Sequence, residues 1–342
     1  MSRALPTRTL GPNGPQIPAL GLGLMGLSSF YGVPPSDEER LKLLDRAYEL
    51  GCTHWDSAAL YGDSEELLGK WFQRTGKRKA IFLATKFGNH VTPEGGRVIN
   101  NDPDYIRKAV AQSMKRLQTD HIDLLYCHRF KGDVPVEQII ATMKEFVDAG
   151  KVSYLGLSEC GVDTLKRAAK VHPIHAYQIE YSPFSRDIEF PEVGLLKTCR
   201  SLGISVVAYS PLGRGMLTGQ YKSLDDFDED DFRRTIPRFS QENFHKNIEL
   251  VNKLKEIAER KSCTSGQLSL AWLMKQGDDI FTIPGTKKIK YLEENVGSCA
   301  VQLTDDEERE IRIAIESAEV HGTRVSASHL TLLVKDTPPL VG

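Results

Sequence analysis

The sequence repeats one unit, a short apolar run followed by an amphipathic segment, along almost its whole length. Segments such as SDEERLKLLDRAYELG and DPDYIRKAVAQSMKRLQ place apolar residues three and four positions apart, which indicates helices between the apolar runs. A strand followed by a helix, repeated many times, favours a parallel sheet. The runs with strand character are eight, at residues 19–25, 53–58, 81–87, 122–128, 152–158, 176–182, 204–210 and 280–285.

Eight such units in 342 residues predict a closed (β/α)8 barrel, or TIM barrel, because this fold takes about 250 residues plus insertions. We therefore interpret residues 1–342 as a single barrel domain, with residues 319–342 as a C-terminal tail. An open, doubly wound sheet is the alternative. Two segments lie outside the repeat. Residues 8–18 predict a hairpin that covers the bottom of the barrel, and a long loop follows the seventh strand from Pro211 to Asn243.

Composition excludes several classes of function. Lys and Arg total 44 and Asp and Glu total 46, so the net charge of −2 gives no general attraction to nucleic acid or to an anionic membrane. The first residues lack the apolar run of a signal peptide, and no stretch is as long and apolar as a membrane helix, so we expect a cytoplasmic protein. Six scattered cysteines without a C-x-x-C pair predict reduced thiols and no structural zinc.

Residues 21–26 read GLGLMG and match G-x-G-x-x-G, the pattern of a dinucleotide-binding Rossmann fold. In that fold the third glycine leads directly into a helix. Here Gly26 is followed by LSSFYGVPP, and Pro34 and Pro35 prevent a helix before about Ser36. We therefore expect GLGLMG to be the first barrel strand running into its loop, rather than a Rossmann motif.

Polar side chains follow three successive strands at the end where barrel enzymes carry their chemistry. Asp56 ends the second strand and Tyr61 lies in the loop after it, while Lys86 ends the third strand and His128 the fourth. Each residue alone has an ordinary structural explanation. Together, an acid, a phenol, an amine and an imidazole at one mouth suit proton transfer to a carbonyl oxygen. Their convergence predicts a catalytic site.

The stretch GCTHWDSAALYGDSEELLG, with Lys86 in LATKF and His128 in LLYCH, resembles the aldo-keto reductase signature. The similarity continues through GKVSYLGLSE, QIEYSP, VVAYSPLGRGMLTG and FTIPGTKKIKYLEEN, over nearly the whole chain. The subgroup that it resembles most includes fungal pyridoxal and aryl-alcohol reductases and potassium-channel beta subunits. This resemblance implies a barrel that binds NADP(H) without a Rossmann domain and reduces an aldehyde or ketone to an alcohol, with pyridoxal and aryl aldehydes as candidate substrates.

The resemblance also assigns roles to individual residues. Tyr61 is the general acid, Lys86 stabilises its phenolate, Asp56 holds Lys86 charged and oriented, and His128 hydrogen-bonds the substrate oxygen. The cofactor contacts that it implies are Gly23, Met25 and Asp56 near the nicotinamide; Ser158, Glu159 and Gln178 at its carboxamide; Tyr209 stacked on its ring; Ser210, Pro211, Leu212, Gly213, Arg214 and Gly215 at the pyrophosphate; Ile283, Pro284 and Gly285 in the adjoining IPGT block; Thr286 and Lys287 at the 2′-phosphate; and Glu294 and Asn295 at the adenine.

One further expectation concerns the glycines of GLGLMG. In addition, two positions of the chain depart from the family pattern. We expect Gly23 and Gly26 to let the chain pass close to the nicotinamide end of the cofactor. Many relatives have Asn where this chain has Glu159, so this chain carries a carboxylate at the expected carboxamide contact. Some relatives have Arg where this chain has Tyr291, which removes one cation from the expected 2′-phosphate site.

Two other functions stay open. One is a non-catalytic NADPH-binding regulatory or redox-sensing subunit. The other is a metal-dependent barrel hydrolase, against which strand phase argues because Asp123 and His128 point to opposite faces and Lys86 would bring a cation to the metal. We therefore expect no metal, a small-molecule carbonyl substrate, and neither nucleic acid nor membrane as a partner. The alternative metal-dependent hydrolase would use the following residues: His54, Asp56, His121, Asp123 and His128.

Overall fold

The structure is a computed structural model that describes residues 5–92 and 95–340, so the last two residues of the predicted tail lie outside the described residues. Its strands in chain order are β1 (Thr7–Thr9), β2 (Gln16–Pro18), β3 (Leu22–Gly23), β4 (His54–Asp56), β5 (Phe82–Phe87), β6 (Asn89–Val91), β7 (Arg97–Ile99), β8 (Ile122–Cys127), β9 (Val152–Ser158), β10 (Ala176–Glu180), β11 (Ser205–Tyr209) and β12 (Ile280–Thr282). Its helices are α1 (Met25–Ser28), α2 (Asp37–Glu49), α3 (Ser64–Thr75), α4 (Pro103–Leu117), α5 (Val136–Asp148), α6 (Val162–Val171), α7 (Leu195–Ser201), α8 (Gln241–Arg260), α9 (Ser265–Lys275), α10 (Ile289–Gly297), α11 (Asp305–Glu316) and α12 (Ala327–Leu330).

Eight strands form one parallel sheet in the order β3, β4, β5, β8, β9, β10, β11 and β12, and each lies within an apolar run predicted from the sequence. The first and last strands also meet. The N–H of Gly21 donates to the carbonyl of Thr282 at 2.8 Å, and an isolated parallel bridge joins Gly23 to Gly285. The sheet therefore closes into a barrel. This confirms the predicted (β/α)8 fold and excludes the open sheet.

Helix α2 begins where the prolines after GLGLMG allow it. The Ser36 hydroxyl accepts from the Glu39 N–H at 3.3 Å, and the Glu39 carboxylate accepts from the Ser36 N–H at 3.1 Å, which together form a capping box. The same reciprocal arrangement begins α9 at Thr264 and α11 at Thr304. Gly26 lies in the single turn of α1, so GLGLMG leads into no long helix and is not a Rossmann motif.

The predicted N-terminal hairpin is present and covers the bottom of the barrel. β1 and β2 pair in antiparallel fashion. Leu10 and Ile17, which lie between and within these strands, are buried in one cluster with the barrel-lining side chains Leu124 and Phe281. At the start of β11, the Ser205 hydroxyl accepts from the N–H of Gly11 at 2.8 Å. Among the described residues, this hairpin therefore closes the end of the barrel at which the strands begin.

Three segments cover that other end, the carboxyl ends of the strands. The β6–β7 hairpin directly follows β5 and was not predicted from the sequence. The long loop after β11 contains tight turns at Gly213–Thr218 and a short 3-10 helix at Phe232–Thr235. The C-terminal tail crosses the mouth and pairs with Cys160 through Lys335. Among the helices described, none is both long and apolar enough to cross a membrane.

Candidate active site

Asp56, Tyr61, Lys86 and His128 gather at the carboxyl ends of β4, β5 and β8. Asp56 and Lys86 are almost completely buried, whereas Tyr61 is 8% and His128 is 5% exposed. Asp56, Tyr61 and His128 line a cavity of about 670 Å³ that opens at this end of the barrel, and Lys86 lies behind it. The sheet thus brings the four predicted catalytic side chains together.

The ammonium of Lys86 is held by an ion pair with Asp56 Oδ1. It also donates to the Ser57 carbonyl at 2.7 Å. The second oxygen of Asp56 accepts from the Gln178 amide at 2.8 Å, so both carboxylate oxygens are engaged. The pair follows from the sheet register, in which Asp56 lies opposite Ala84, two residues before Lys86 on the same face of β5. A buried charge needs such a partner, because breaking a buried pair costs about 3–5 kcal/mol.

Tyr61 lies in a tight loop that is tied to the neighbouring strand. The Ala59 N–H donates to the Lys86 carbonyl at 3.0 Å, and the Tyr61 N–H donates to the Ala58 carbonyl at 3.0 Å. The Lys86 ammonium lies 4.9 Å from the centre of the Tyr61 ring. The His128 ring lies edge-on to the same ring, with centroids 5.8 Å apart and planes at 87°. The phenol is therefore fixed between a cation and an imidazole.

His128 is neutral at physiological pH. Burial, followed by the positive charges of Arg129, Lys86 and Arg97, lowers its pKa well below the ordinary value. A neutral imidazole can donate a hydrogen bond to an oxygen but is a poor proton donor. Between the two groups that face the cavity, the phenol of Tyr61 is thus the better placed to act as an acid.

Most of the residues predicted to contact a cofactor line the same cavity. Two do not. Gly213 is buried beneath it, where an added Cβ would lie 2.9 Å from the Phe184 ring. Glu159 is fully buried as well. The predicted cofactor contacts that line the cavity are Gly23, Met25, Asp56, Ser158, Gln178, Tyr209, Ser210, Pro211, Leu212, Arg214, Gly215, Ile283, Pro284, Gly285, Thr286, Lys287, Glu294 and Asn295.

Glu159 is paired with a residue of the C-terminal tail. Its two oxygens accept from the Arg324 guanidinium at 2.7 and 2.9 Å, and one of them also accepts from the Tyr209 hydroxyl at 2.7 Å. Burial of this carboxyl favours its neutral form, but the charge and hydrogen bonds of Arg324, with smaller contributions from Arg129 and Tyr209, lower its pKa to about 2. The structure therefore places Glu159 behind the cavity, where it holds Tyr209 and the tail rather than facing a carboxamide.

Packing gives the glycines of GLGLMG a second reason beside the predicted approach to the cofactor, and both Gly23 and Gly26 line the cavity. A Cβ at Gly23 would lie 2.6 Å from the carbonyl oxygen of Ile283, and one at Gly26 would lie 2.8 Å from the Tyr31 ring. Gly23 is required where the first strand meets the last, and Gly26 where the chain folds back under Tyr31.

The far end of the cavity carries Lys287. Its ammonium donates to the carbonyls of Tyr31 and Val33, across the cleft from its own loop. Burial is the main cause that lowers its pKa. Thr286 and Asn295 line the same end. Lys287 and Lys288 thus both line this end of the cavity, and so does Tyr291, the position that is Arg in some relatives.

The alternative metal site does not form. His54 packs edge-on against Phe82 and Phe281 inside the barrel, below the mouth. Asp123 is paired with Arg78 at 2.7 Å. Within residues 5–92 and 95–340, no three His, Cys, Asp or Glu side chains are grouped so that they could hold a metal ion. The structure separates the residues that a metal-dependent hydrolase would need.

Three arginines, Arg97, Arg129 and Arg233, and part of the tail line the cavity without having been predicted. Arg129 directly follows His128, and this position beside a strand-end histidine was a usable signal. Arg97 comes from the β6–β7 hairpin, whose short exposed strands carry no strong pattern. The tail residues that line the cavity are Val325, His329, Leu332 and Leu333.

Comparison with known proteins agrees with this geometry. The model of the Aldo/keto reductase family matches residues 19–316. The chain is 53% identical over 340 residues to aldo-keto reductase yakc of Schizosaccharomyces pombe, whose name specifies NADP(+), and 53% identical over 341 residues to aldo-keto reductase str7 of Strobilurus tenacellus. Each alignment covers 98% of this chain and 99% of the relative.

Two solved structures are also similar. The thermostable aldo-keto reductase Tm1743, in complex with the inhibitor epalrestat, is 29% identical with a TM-score of 0.71, over 91% of this chain and 98% of that one. Glycerol dehydrogenase AKR11B4 of Gluconobacter oxydans is 24% identical with a TM-score of 0.83, over 93% and 97%, and supports the fold alone. Family match, relatives and barrel agree: the chain belongs to the aldo/keto reductase family.

Proposed function

We propose that this protein reduces an aldehyde or ketone to an alcohol with NADPH and that Tyr61 supplies the proton. The observation that carries the proposal is the convergence of Asp56, Tyr61, Lys86 and His128 at one end of a cavity of about 670 Å³. The name of the S. pombe relative supports NADP(H) as the cofactor. Membership in the aldo/keto reductase family makes the protein an oxidoreductase that acts on carbonyl and CH–OH groups.

The residues present fit this cofactor. Ser210, Gly213, Arg214 and Gly215 all have positive φ values, between 48° and 97°, in one short stretch at the end of β11. Such a backbone can turn successive N–H groups toward an anion, which suits a pyrophosphate. Lys287 and Thr286 at the far end suit a 2′-phosphate, because phosphate oxygens accept hydrogen bonds from a lysine ammonium. When bound, NADPH supplies the hydride.

Tyr61 needs help to act as an acid, because an ordinary phenol has a pKa of about 10. The buried Lys86 ammonium, 4.9 Å from the centre of the Tyr61 ring, provides it, because a positive charge nearby favours the phenolate. Lys86 therefore stabilises the phenolate that remains after the proton moves from the Tyr61 hydroxyl to the carbonyl oxygen. Asp56 keeps the ammonium charged and in place.

His128 orients the substrate. Its low pKa keeps the ring neutral, so that it can donate a hydrogen bond to the carbonyl oxygen without taking up a proton at physiological pH. This hydrogen bond fixes the oxygen near the Tyr61 hydroxyl, and positioning of this kind is part of what an active site contributes to rate. The two side chains thus divide the work, one positioning the oxygen and the other protonating it.

Pyridoxal and aryl aldehydes are the substrates that we propose. Apolar and aromatic side chains line the cavity next to Tyr61, among them Phe30, Leu60, Val325 and Leu332. Such a lining suits a flat ring. The test is NADPH consumption with pyridoxal, aryl aldehydes and small ketones, each compared with NADH. Turnover of at least one aldehyde with NADPH is expected, whereas tight NADPH binding without any turnover across the panel would overturn the proposal.

A further inference from the structure

Two arginines face the substrate end of the cavity. Arg97, in β7, and Arg129, directly after β8, line the same cavity as Tyr61 and His128. The Arg129 guanidinium donates to the His128 carbonyl at 2.7 Å and to the Ser158 hydroxyl at 3.0 Å. Arg97 donates to the side-chain oxygen of Asn89 at 2.9 Å. All these acceptors are neutral. Within residues 5–92 and 95–340, no carboxylate lies within ion-pair distance of either arginine.

Three carboxylates at the mouth are engaged by other cations, whereas Asp228 and Asp231, which also line the cavity, act on Lys287 at its far end. Asp56 is paired with Lys86, and Glu159 with Arg324. Glu180 lies 3.3 Å from Arg214 and 3.6 Å from Arg238. Arg129 contributes to the low pKa of Glu159, but that carboxylate already accepts two hydrogen bonds from Arg324. Arg97 and Arg129 are therefore positive charges in excess of the negative charges around them.

Electrostatics at His128 supports this arrangement independently of the contact distances. After burial, the positive charges of Arg129, Lys86 and Arg97 lower the pKa of His128. The charge of Arg129 also contributes, after burial, to the lowered pKa of Arg97. Both guanidinium charges thus act at the point where the substrate carbonyl is expected to bind, and they act on each other.

The cofactor does not account for these charges. Its phosphates are expected at Ser210–Gly215 and near Lys287, and its nicotinamide end, which is expected beside Tyr61, carries no anionic group. Arg129 is half-buried, whereas Arg97 is exposed at the rim of the cavity. A half-buried cation without a counter-charge costs free energy, and an anion that binds Arg129 recovers part of that cost. The excess positive charge therefore faces the space left for the substrate.

We propose that the substrate carries a carboxylate or phosphate group that Arg97 and Arg129 bind while the carbonyl lies against Tyr61 and His128. This inference rests on the reductase function proposed above and specifies its substrate class, an anionic aldehyde or ketone. Arginine suits the task because its planar fork can donate two parallel hydrogen bonds to either kind of anion. The apolar lining from Phe30, Val325 and Leu332 would hold the ring or chain between the two polar ends.

Matched substrate pairs test the proposal in the full-length protein. The first pair is 4-carboxybenzaldehyde and 4-formylbenzamide, which differ by one charge at nearly the same shape. The second pair is pyridoxal 5′-phosphate and pyridoxal, which tests phosphate in place of carboxylate. The expected result is a kcat/KM about 10- to 100-fold higher for the anionic member of at least one pair, since hydrogen bonds to charged groups contribute about 1.5–3 kcal/mol.

Variants show whether the two arginines cause the preference. Arg97→Gln and Arg129→Gln should each lower the ratio of kcat/KM for the anionic over the neutral substrate by about tenfold, and Arg97→Lys should retain part of it. Arg107→Gln is the matched control, because Arg107 lies on α4 and is paired with Glu145 at 2.6 Å. It should leave the ratio unchanged. Equal kcat/KM values within both pairs, or ratios unchanged in both cavity variants, would overturn the proposal.

A binding measurement separates this proposal from the reductase function on which it rests. With NADP⁺ present, 4-(hydroxymethyl)benzoate should bind more tightly than 4-(hydroxymethyl)benzamide, and Arg97→Gln should remove the difference. If the anion binds more tightly but no aldehyde is turned over, the anion site stands and the reductase function fails. If aldehydes are reduced but the two alcohols bind equally, the reductase function stands and the anion site fails.

Discussion

Two of the buried ion pairs at the mouth of the barrel differ in how the chain brings their members together. Asp56 and Lys86, which we call the floor pair, come from the adjacent strands β4 and β5 and are 30 residues apart in sequence. Glu159 and Arg324, the tail pair, join the end of β9 to the C-terminal tail across 165 residues. The floor pair lies beside the phenol of Tyr61, the proposed proton donor. The tail pair lies behind the cavity and holds Tyr209.

This difference separates two tasks. The floor pair is fixed by the hydrogen-bonded register of the sheet, so its geometry persists as long as the barrel does. The tail pair is fixed only if the tail is docked, and the docked tail also supplies Val325 and Leu332 to the cavity wall. The proposed catalytic groups thus belong to the part of the molecule that strand pairing fixes, whereas part of the cavity wall belongs to a tail held by side-chain contacts.

The largest effect is expected on the floor side, from Tyr61→Phe. Loss of the hydroxyl removes the proposed proton donor but leaves the ring between Lys86 and His128. The reduction rate should therefore fall by roughly 10²- to 10⁴-fold. The affinity for NADPH and the free energy of unfolding should change little. NADPH consumption and cofactor binding measure the two quantities. The matched control is Tyr31→Phe, another phenol that lines the cavity. Retention of more than a tenth of the activity in Tyr61→Phe would rule out the assigned role.

The second effect is expected on the tail side, from Arg324→Met. This change leaves the Glu159 carboxylate buried without its main partner, which should lower the free energy of unfolding by about 3–5 kcal/mol, as measured by denaturant titration. The double variant Glu159→Gln with Arg324→Met removes both charges and should recover most of the loss. If the single and double variants are equally destabilised, the ion pair is not what holds the tail.

The same difference explains which parts of the molecule can be predicted from sequence. The floor residues follow apolar runs at fixed offsets, and the carboxyl ends of parallel strands meet at one edge, so a pattern read along the chain also places Asp56, Lys86 and His128 in space. Nothing local to Glu159 indicates that its partner is Arg324. The sequence therefore predicts the barrel and the catalytic end of the site, but neither the docking of the tail nor the position of Glu159.

Gly23 and Arg97 show the same limit at smaller scale. The motif around Gly23 matches a cofactor pattern, but the atom that excludes a side chain there is the Ile283 carbonyl, about 260 positions along the chain. Arg97 reaches the cavity from a hairpin of two three-residue strands, a length at which periodicity gives no signal. In both cases the residue contacts a part of the chain that is far away in sequence, and no periodic sequence pattern predicts that contact.

A third prediction uses the pH dependence of the unfolding free energy. It distinguishes His54, in the barrel interior below the floor pair, from the tail pair. Burial is the main cause that lowers the pKa of His54 from about 6.5 to about 4. Because the unfolded chain then binds a proton at higher pH than the folded protein, the free energy of unfolding should decrease as the pH falls from about 6.5 to 4. The contribution of this residue is about 3 kcal/mol.

Glu159 is charged in the folded protein, whereas His54 is neutral, and Glu159 takes up its proton at lower pH. Its folded pKa of about 2 lies below the ordinary value of 4.5, so its stabilisation is present above pH 4.5 and is lost between about 4.5 and 2. His54→Leu should therefore flatten the pH dependence of the unfolding free energy between 6.5 and 4, and the double variant Glu159→Gln with Arg324→Met, which leaves no unpaired buried carboxyl, should leave the range from 6.5 to about 4.5 unchanged. An unaltered slope in His54→Leu would contradict the assignment.

The smallest effect on the free energy of unfolding is expected where the tail caps the N-terminus of helix α6. Gly161 occupies the N-cap position of this helix and has no side chain to accept a hydrogen bond. The Asp336 carboxylate from the tail takes that role, because it accepts from the Thr164 N–H at 3.0 Å and lies only 2.4 Å from where a Cβ of residue 161 would be. Asp336→Ala should thus lower the free energy of unfolding by about 1 kcal/mol, the usual cost of losing a cap.

A second change can restore that cap within the helix itself. With Asp336→Ala in place, the space beside Gly161 is free, and the backbone of Gly161, with φ −73° and ψ 168°, suits any L-residue. Gly161→Ser combined with Asp336→Ala should therefore recover most of the lost stability in denaturant titration. Gly161→Ser alone should be destabilising, because its side chain would collide with Asp336. Recovery in the double variant would show that the tail substitutes for a missing local cap, whereas equal stability of Asp336→Ala and the double variant would show that it does not.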